Sequence, residues 1–286
     1  MATLKAIRRR VSSVRNIQQI TKAMKMVSAA RLRRAQEAAF AARPYAEKLE
    51  AVLQNLAAQS QTLAHPFLTT RAEQHLDLLV ITSDRGLCGG FNSSLIRTAE
   101  GFIREHAGQQ VTLSLVGRRG YDHFKRRPVT LAEHHINLFG RLTPTLAHEI
   151  GRRLGERFIN GESDGLYVLY ARFRSALVQV PTIDRVLPVV ATERAVAQTP
   201  LEYLYEPAPQ ELLASLLARY VDMLIYRAML ESVASEHGAR MTAMDNATNN
   251  AVEMIERLTL DMNRARQAGI TRELLEIVST GEALKG

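Results

Sequence analysis

The sequence predicts an α/β protein in which two long terminal helices pair as an antiparallel coiled coil. In sequence these helices flank a central α/β domain. No glycine precedes Gly86, no proline precedes Pro44, and none follows Pro209. Between these glycine-poor and proline-poor ends, short β-rich runs alternate with helix-like stretches, which is typical of a mainly parallel sheet. We therefore expect three segments: an N-terminal coiled-coil helix over 1–60, a central α/β domain over 75–205, and a C-terminal coiled-coil helix over 209–286.

The first helix is indicated by an apolar stripe with helical spacing. Apolar residues recur at three- and four-residue steps, as in one face of an amphipathic helix. The stripe consists of Leu4, Ile7, Val11, Val14, Ile17, Ile20, Met24 and Val27.

The last helix shows a near-heptad pattern. It runs through Leu230, Val233, His237, Met241, Met244, Thr248, Ala251, Ile255, Leu258 and Met262. A helix of about 70 residues would be roughly 100 Å long, so its stripe needs a partner of similar length. We expect Gly238 and Gly269 to mark bends or close contacts within this helix. His237 is interpreted as a buried interface histidine.

The central segment contains alternating strand and helix signals. We predict strands at 76–81, 111–116 and 166–170, and helices at 92–106 and 145–160. Residues 178–190 are a weaker candidate strand, because Pro181 and Pro188 suit an edge or a strand end.

Charge is concentrated at the N-terminus. The chain has a formal net charge of +8, yet residues 1–36 carry ten basic side chains and no acidic one. Such a segment suits nucleic acid, an anionic membrane, an acidic protein partner, or a mitochondrial presequence. Residues 210–286 hold eleven acidic against eight basic side chains, which agrees with pairing between the two helices.

Composition limits the remaining classes. With 46% hydrophobic residues the chain can form a substantial core, and no apolar run is long enough to cross a bilayer. Cys88 is the single cysteine, so no internal disulfide forms. We interpret it as a small packing residue.

The glycine-rich stretch SDRGLCGGFN, residues 83–92, lacks the spacing of either common phosphate-binding motif. Its glycines do not match G-x-G-x-x-G, and the chain contains no Gly-Lys pair for a P-loop. We predict a tight turn between a strand and a helix, with Asn92 near the N-cap. GESDG, residues 161–165, matches G-x-S-x-G, but Ser163 follows a helix rather than a strand, so a loop is expected.

The histidines indicate no metal site. His134 and His135 are adjacent, and no pair has the spacing of zinc ligands. We therefore predict no catalytic residue, no cofactor and no metal.

Four stretches closely resemble the gamma subunits of F-type ATP synthases. They are IRRRVSSVRNIQQITKAMKMVSAARLRRAQ (7–36), SDRGLCGGFN (83–92), ASEHGARMTAMDNATNNA (234–251) and NRARQAGITRELLEIV (263–278). The resemblance extends from about residue 2 to 278, with matching order and spacing. It implies a shaft formed by the two terminal helices and a central Rossmann-like α/β domain.

The same resemblance implies function and partners. In that family the shaft rotates inside a hexamer of three alpha and three beta subunits, and its lower part joins epsilon and the membrane-embedded c-ring. The subunit is non-catalytic in itself and couples ion-driven rotation to ATP synthesis or hydrolysis. The resemblance leaves no room for a presequence, which favours a peripheral protein on the cytoplasmic face of a bacterial inner membrane over a trimmed mitochondrial chain.

Matching positions in the family motifs imply candidate contacts with the alpha/beta hexamer. Arg266 and Gln267 resemble residues that engage a beta-subunit loop, and Thr271 and Arg240 are further candidates. Met24 corresponds to a position close to the beta lever, with core packing as the alternative interpretation.

The basic face at the start of the first helix is a further candidate contact with the acidic loop of the beta lever. It comprises Lys5, Arg8, Arg9 and Arg10. Salt should weaken this attraction if the charges are exposed.

A basic coiled-coil protein that binds nucleic acid, or an adaptor, is the alternative from another class. It accounts for the charged N-terminus but not for the acidic last helix or the α/β middle. A stand-alone α/β enzyme is disfavoured because no catalytic constellation is present. We therefore expect no nucleic-acid partner.

Overall fold

Two long helices lie at the ends of the chain, and an α/β sheet region lies between them in sequence. The computed structural model describes residues 4–59, 65–138, 142–189 and 209–283. In chain order these residues form α1 (Leu4–Gln59), a 3-10 turn (Pro66–Leu68), β1 (His75–Ile81), α2 (Phe91–Glu105), β2 (Gln110–Val116), α3 (Arg118–Phe124), β3 (Thr130–His135), α4 (Pro144–Ile159), β4 (Gly165–Phe173), β5 (Gln179–Leu187) and α5 (Pro209–Ala283). The predicted fold class is confirmed.

The strands form one sheet in the order β3-β2-β1-β4-β5. Strands β1 to β4 pair in parallel, whereas β5 runs antiparallel to β4. The candidate strand at 178–190 therefore forms, as β5, and lies at an edge of the sheet. Pro181 pairs opposite Ala171, and the missing N–H of this proline does not interrupt the hydrogen bonds between central strands. Residues 190–205 of the predicted central segment lie outside the described residues.

The core lies on both faces of this sheet, because successive side chains of a strand point to opposite sides. On one face Leu78 and Val80 pack with α2 through Leu95 and Ala99. The other face packs against α4 and the first half of α5, with Leu79, Ile81, Ile150, Leu154, Leu217 and Ile225 among its buried residues. Since β1 is central and covered on both faces, its sequence reads as an almost continuous apolar run.

Two elements, α3 and β3, are absent from the sequence-based prediction. Helix α3 has only seven residues and contains Gly120, so its helical signal is short and weak. Strand β3 is an edge strand with no fully buried residue, and His134 and His135 supply little β-forming signal. Both elements depend on packing against β2 and its neighbours rather than on local sequence.

By its internal contacts the chain divides into two units. We call Met1–Ser28 together with Met241–Gly286 the two-helix unit, and Ala29–Arg240 the sheet unit. The predicted segments 1–60, 75–205 and 209–286 follow secondary structure instead, and that division stays a prediction.

Candidate partner-binding surfaces

The two-helix unit is an antiparallel pair. The Nζ of Lys25 lies 2.6 Å from Oδ1 of Asp245, and the hydroxyl of Thr248 donates to that of Thr21 at 2.8 Å. As the residue number falls on α1 it rises on α5, which requires opposite helix directions. Continuing this register places Leu4 opposite about residue 265, so α5 extends beyond the first described residue of α1 by roughly 25 Å.

The seam between these helices differs from the predicted stripe on α1. Val11 and Val14 are buried as expected, but Thr21 and Ser28 are the next buried positions. Ile17, Ile20 and Val27 of the predicted stripe are mostly exposed instead. The apolar residues of the predicted stripe therefore lie on two faces of α1, and only one of these faces packs against α5.

Outside its seam, the two-helix unit exposes a set of large apolar side chains. On α1 they are Ile17, Ile20, Met26 and Val27, and on α5 they are Val252, Met254, Leu260, Ile270, Leu274, Leu275, Ile277 and Val278. Large apolar side chains clustered on a surface mark a site of interaction with another protein or a membrane. The end of α5 has neither an α1 neighbour nor a buried residue from 266 onward among the described side chains.

Most of the predicted contact residues lie on the outside of the two-helix unit. Exposed positions are Lys5, Arg8, Arg9 and Arg10 on α1 and Arg266, Gln267 and Thr271 on α5. The register places the basic residues of α1 near Arg266, at the same end of the pair. Met24 is half-buried and lies roughly 28 Å along α1 from Lys5, so it belongs to a separate surface.

Arg240 differs from the other candidates because it is buried in the sheet unit. Its Nη2 donates to Oε1 of Glu236 at 2.6 Å and to the carbonyl oxygen of Gly86 at 3.1 Å. A second carbonyl, that of Arg85, accepts at 3.3 Å. The guanidinium thus joins α5 to the turn between β1 and α2, and any effect of Arg240 on a partner would pass through that turn.

The turn at residues 82–90, which we call the β1–α2 loop, is held by a side-chain network. The Oδ1 of Asn92 accepts from the main-chain N–H of Ser83 at 3.0 Å, and its Nδ2 donates to the Sγ of Cys88 at 3.2 Å. The residue that caps α2 is Gly90, without a side-chain hydrogen bond. Asn92 is therefore near the cap, as predicted, but it stabilises the loop rather than the helix end.

Helix α5 occupies the position at which open α/β folds bind ligands. That position is at the carboxyl ends of two neighbouring central strands where the strand order reverses, here β1 and β4. The hydroxyl of Ser235 donates to the carbonyl of Ala171 in β4 at 2.8 Å, and that of Ser232 to the carbonyl of Ile81 in β1 at 3.4 Å. Both serines are fully buried, so the helix covers this position with its own side chains.

Burial shifts the pKa values of the ionisable groups near this contact. Desolvation and the positive charges of Arg240 and Arg31 lower the pKa of His237 to about 4. Desolvation raises the pKa of Glu236, against the opposing effect of Arg240. The sequence pattern identified His237 as buried, but it gave no reason to select Ser232, Ser235 or Glu236. All three lie off the predicted near-heptad positions Leu230, Val233 and His237, so the pattern carried no signal for their burial.

The other sequence candidates have structural roles. Ser163 lies in the loop between α4 and β4, as predicted, and its hydroxyl donates to the carbonyl of Gly165 at 3.0 Å. Cys88 is buried, and burial raises the pKa of its thiol. The side chain of His134 stacks on Tyr121 with ring centroids 4.2 Å apart. Within the described ranges no cluster of histidine, cysteine and carboxylate side chains has metal-binding geometry.

Comparison with known proteins identifies the family. The family model described as ATP synthase matches residues 3–284. ATP synthase gamma chains from Geobacter sp. (strain M21) and Solibacter usitatus are each 49% identical, over 100% and 99% of both chains respectively. This chain belongs to the ATP synthase gamma-chain family.

Solved structures related to the gamma-chain family share the fold. A chain from the central stalk/c-ring structure of the Tetrahymena thermophila mitochondrial ATP synthase is 26% identical, with a TM-score of 0.63 over 80% of this chain and 99% of that one. A chain from the Euglena gracilis mitochondrial ATP synthase OSCP/F1/c-ring structure is 20% identical, with a TM-score of 0.69 over 98% and 94%. In the described residues no helix has the length and apolarity needed to span a membrane.

Proposed function

We propose that this chain is the central rotor shaft of an F-type ATP synthase, coupling transmembrane ion-driven rotation to ATP synthesis or hydrolysis at the beta subunits. The observation that carries the proposal is the end of α5, which extends beyond the described part of α1 and exposes Leu274, Leu275, Ile277 and Val278, with no packing partner among the described residues. Membership of the gamma-chain family supplies the partner class. The chain is itself non-catalytic and acts on catalytic sites in neighbouring subunits.

The mechanism follows from the asymmetry of the two-helix unit. The side formed by α1 exposes basic residues such as Lys5 and Arg9, whereas the side formed by α5 exposes the carboxylates of Glu253 and Glu256. Each of three identical beta subunits faces a different side at any moment, so each is biased towards a different conformation and nucleotide affinity. Turning the shaft passes these states from one beta subunit to the next, and ATP hydrolysis turns it in reverse.

The hexamer contacts are inferred from matching positions in the family motifs, and the exposure of most of these residues in the two-helix unit supports the inference. Arg266 and Gln267 engage a beta-subunit loop, and Thr271 lies about one helical turn further on. The basic set Lys5, Arg8, Arg9 and Arg10 faces acidic groups of the beta lever. Met24 contacts the same lever at a separate level of the shaft. Arg240 contributes indirectly by fixing the β1–α2 loop.

The remaining partners and the location follow from the same role. The sheet unit joins the epsilon subunit and the c-ring, and three alpha with three beta subunits surround the shaft. The chain is peripheral to the cytoplasmic face of a bacterial inner membrane. Relatives from Geobacter and Solibacter support the bacterial assignment.

Native mass spectrometry after co-expression with the alpha and beta subunits tests this function. We expect a complex of three alpha, three beta and one copy of this chain, with ATPase turnover that depends on the chain. If the chain stays free and turnover does not change, the rotor function is wrong. Salt-dependent binding to nucleic acid would then be measured for the basic N-terminal helix.

A further inference from the structure

A groove within the sheet unit lies between α1, α5 and the end of β4. Its lining comes from residues 36–47 of α1, 172–174 at the end of β4 and 223–234 of α5, and its volume is about 640 Å³. Sites for small molecules typically measure roughly 300–1,000 Å³. On α1 the lining includes Ala39, Ala42 and Ala46, whose short side chains leave the space between the helices open.

The groove combines an apolar floor with two aromatic rings. Leu230 and Ala234 of α5 line it and are buried. Phe173 also lines it, and a methyl group at Gly238 would lie 3.3 Å from a ring carbon of this residue, so the glycine lets the ring settle against α5. The ring of Phe40, on α1, is 71% exposed. Such a lining favours a ligand with flat aromatic rings.

Three arginines line the groove, and two of them have carboxylate partners. The guanidinium of Arg172 lies 3.1 Å from Asp184, and that of Arg227 lies 3.1 Å from Glu231. Arg174 is exposed, and its guanidinium has no carboxylate within ion-pair distance among the described residues. The groove therefore presents one positive charge that the described part of the chain leaves uncompensated.

Glu47, the remaining acidic residue of the lining, lies at the far end of the groove. Desolvation, the charge of Arg240 and the charge of Arg31 lower the pKa of His237, so position 31 of α1 lies near position 237 of α5. Since 36–47 line the groove opposite 223–234, the numbering falls on α5 as it rises on α1. Glu47 is thus about 16 Å along α1 from position 36, whereas Arg174 follows the ring that packs near position 238.

We propose that this groove binds a small aromatic anion, with the acidic group of the ligand at Arg174 and its rings against Phe40 and Phe173. A carboxylate or sulfonate gains a charge-assisted hydrogen bond from a guanidinium, and the rings of the ligand cover apolar surface that water otherwise contacts. None of the candidate hexamer contacts lines the groove. The proposal therefore stands apart from the rotor function, and its failure would leave that function untouched.

Anilinonaphthalene sulfonate is a suitable probe, because it is an aromatic sulfonate that binds exposed apolar surface. Its fluorescence is titrated against the complete free chain and four variants. Arg174→Gln removes the uncompensated charge, and Ala42→Leu fills the groove with a good helix former. The matched controls are Arg126→Gln, at an exposed arginine outside the groove, and Ala41→Leu, at an exposed position of α1 that does not line it.

We expect one saturable site on the wild-type chain with a dissociation constant of about 10–100 µM. Arg174→Gln should weaken this binding about tenfold, and Ala42→Leu should abolish it, while both controls bind as the wild type does. The exposed end of α5 also attracts the probe, but none of the four substitutions alters it, so that signal is common to all chains.

Three results would overturn the proposal. They are the absence of a saturable site on the wild-type chain, wild-type affinity in Arg174→Gln or Ala42→Leu, and equal weakening in the controls. The Tm of each free chain is measured alongside. Because Arg174 is exposed, its variant keeps the wild-type Tm to within about 2 °C, and it decides the outcome if Ala42→Leu does not fold.

Discussion

The guanidinium of Arg240 reaches from α5 to the main-chain carbonyl oxygen of Gly86, with Nη2 donating at 3.1 Å. The same nitrogen lies 2.6 Å from Oε1 of Glu236, and the two side chains are only 8% and 4% exposed. A family motif implies that Arg240 touches a partner, but its hydrogen bonds are made within the chain. It ties the last helix to a loop that follows the first strand.

Replacing Arg240 by methionine should destabilise the chain strongly. The carboxylate of Glu236 would be left buried without its partner, which typically costs about 3–5 kcal/mol. The matched control is Arg227→Met, since Arg227 pairs with Glu231 at i,i+4 but is 60% exposed, and such a change costs less than about 1 kcal/mol. Urea unfolding of the free chain measures both values. Equal losses for the two variants would contradict the role given to the buried pair.

Acid should weaken the fold through His237. Its folded pKa of about 4 lies below the ordinary value of 6.5, so the unfolded chain binds the proton more readily. The stabilising contribution is present above pH 6.5 and is lost as pH falls towards 4, by about 2 kcal/mol between pH 7 and pH 4.5. The raised pKa of Glu236 acts in the opposite direction, so the comparison must be made with a variant.

His237→Gln isolates that contribution. The pH dependence of the free energy of unfolding should become flatter by about 2 kcal/mol over this interval. A His237→Gln curve parallel to that of the wild type would show that His237 does not titrate with a lowered pKa.

Two glycines of α5 should respond differently to alanine. A methyl group at Gly269 would have no neighbour within 4 Å, whereas one at Gly238 would lie 3.3 Å from both the Cα of Ala176 and a ring carbon of Phe173. Gly269→Ala should therefore stabilise the free chain by about 0.5–1 kcal/mol through helix propensity. Gly238→Ala should gain less or lose stability, because main-chain atoms of Ala176 cannot yield easily. Thermal unfolding of both variants would detect the difference, and equal gains would be inconsistent with it.

Removal of the exposed basic set should slow assembly. Changing Lys5, Arg8, Arg9 and Arg10 together to glutamine should reduce the association rate with alpha and beta subunits by about tenfold at low salt, because electrostatic steering is lost. The difference from the wild type should shrink above about 0.3 M salt. Stopped-flow fluorescence measures the rate, and an unchanged Tm of the free chain serves as the control. A salt-independent effect would exclude an exposed electrostatic contact.

Arg266 should contribute to the assembled complex but not to the stability of the free chain. We expect Arg266→Ala to accelerate release from the hexamer about tenfold, because a charge-assisted hydrogen bond contributes about 1.5–3 kcal/mol. Arg264→Ala, on the same stretch of α5 and 80% exposed, is the matched control. Gln267→Ala should show a smaller effect of the same sign. Identical release rates for the variants at 264 and 266 would remove Arg266 from the contact.

Local sequence patterns predicted much of the secondary structure, since periodicity and strong breakers act over a few residues. The near-heptad on α5 and the apolar run of β1 each correspond to residues that pack inside the protein, whereas Ile17, Ile20 and Val27 of the predicted α1 stripe are exposed. Weakly patterned elements such as β3 escaped prediction, because long-range pairing with β2 decides their conformation. The family motifs selected Arg266 and Gln267, whose exposure on α5 agrees with a contact but leaves it a prediction.

The sequence by itself determined that two long amphipathic helices and an α/β segment would form, together with the charge asymmetry and the family. Only the tertiary structure decided which apolar face of α1 stays exposed, because Thr21 and Thr248 meet in the seam while Ile17 and Ile20 remain outside. It also decided that Arg240 is buried and that Leu87 is presented to solvent at a positive φ. Both depend on contacts between residues some 150 positions apart, which no local pattern encodes.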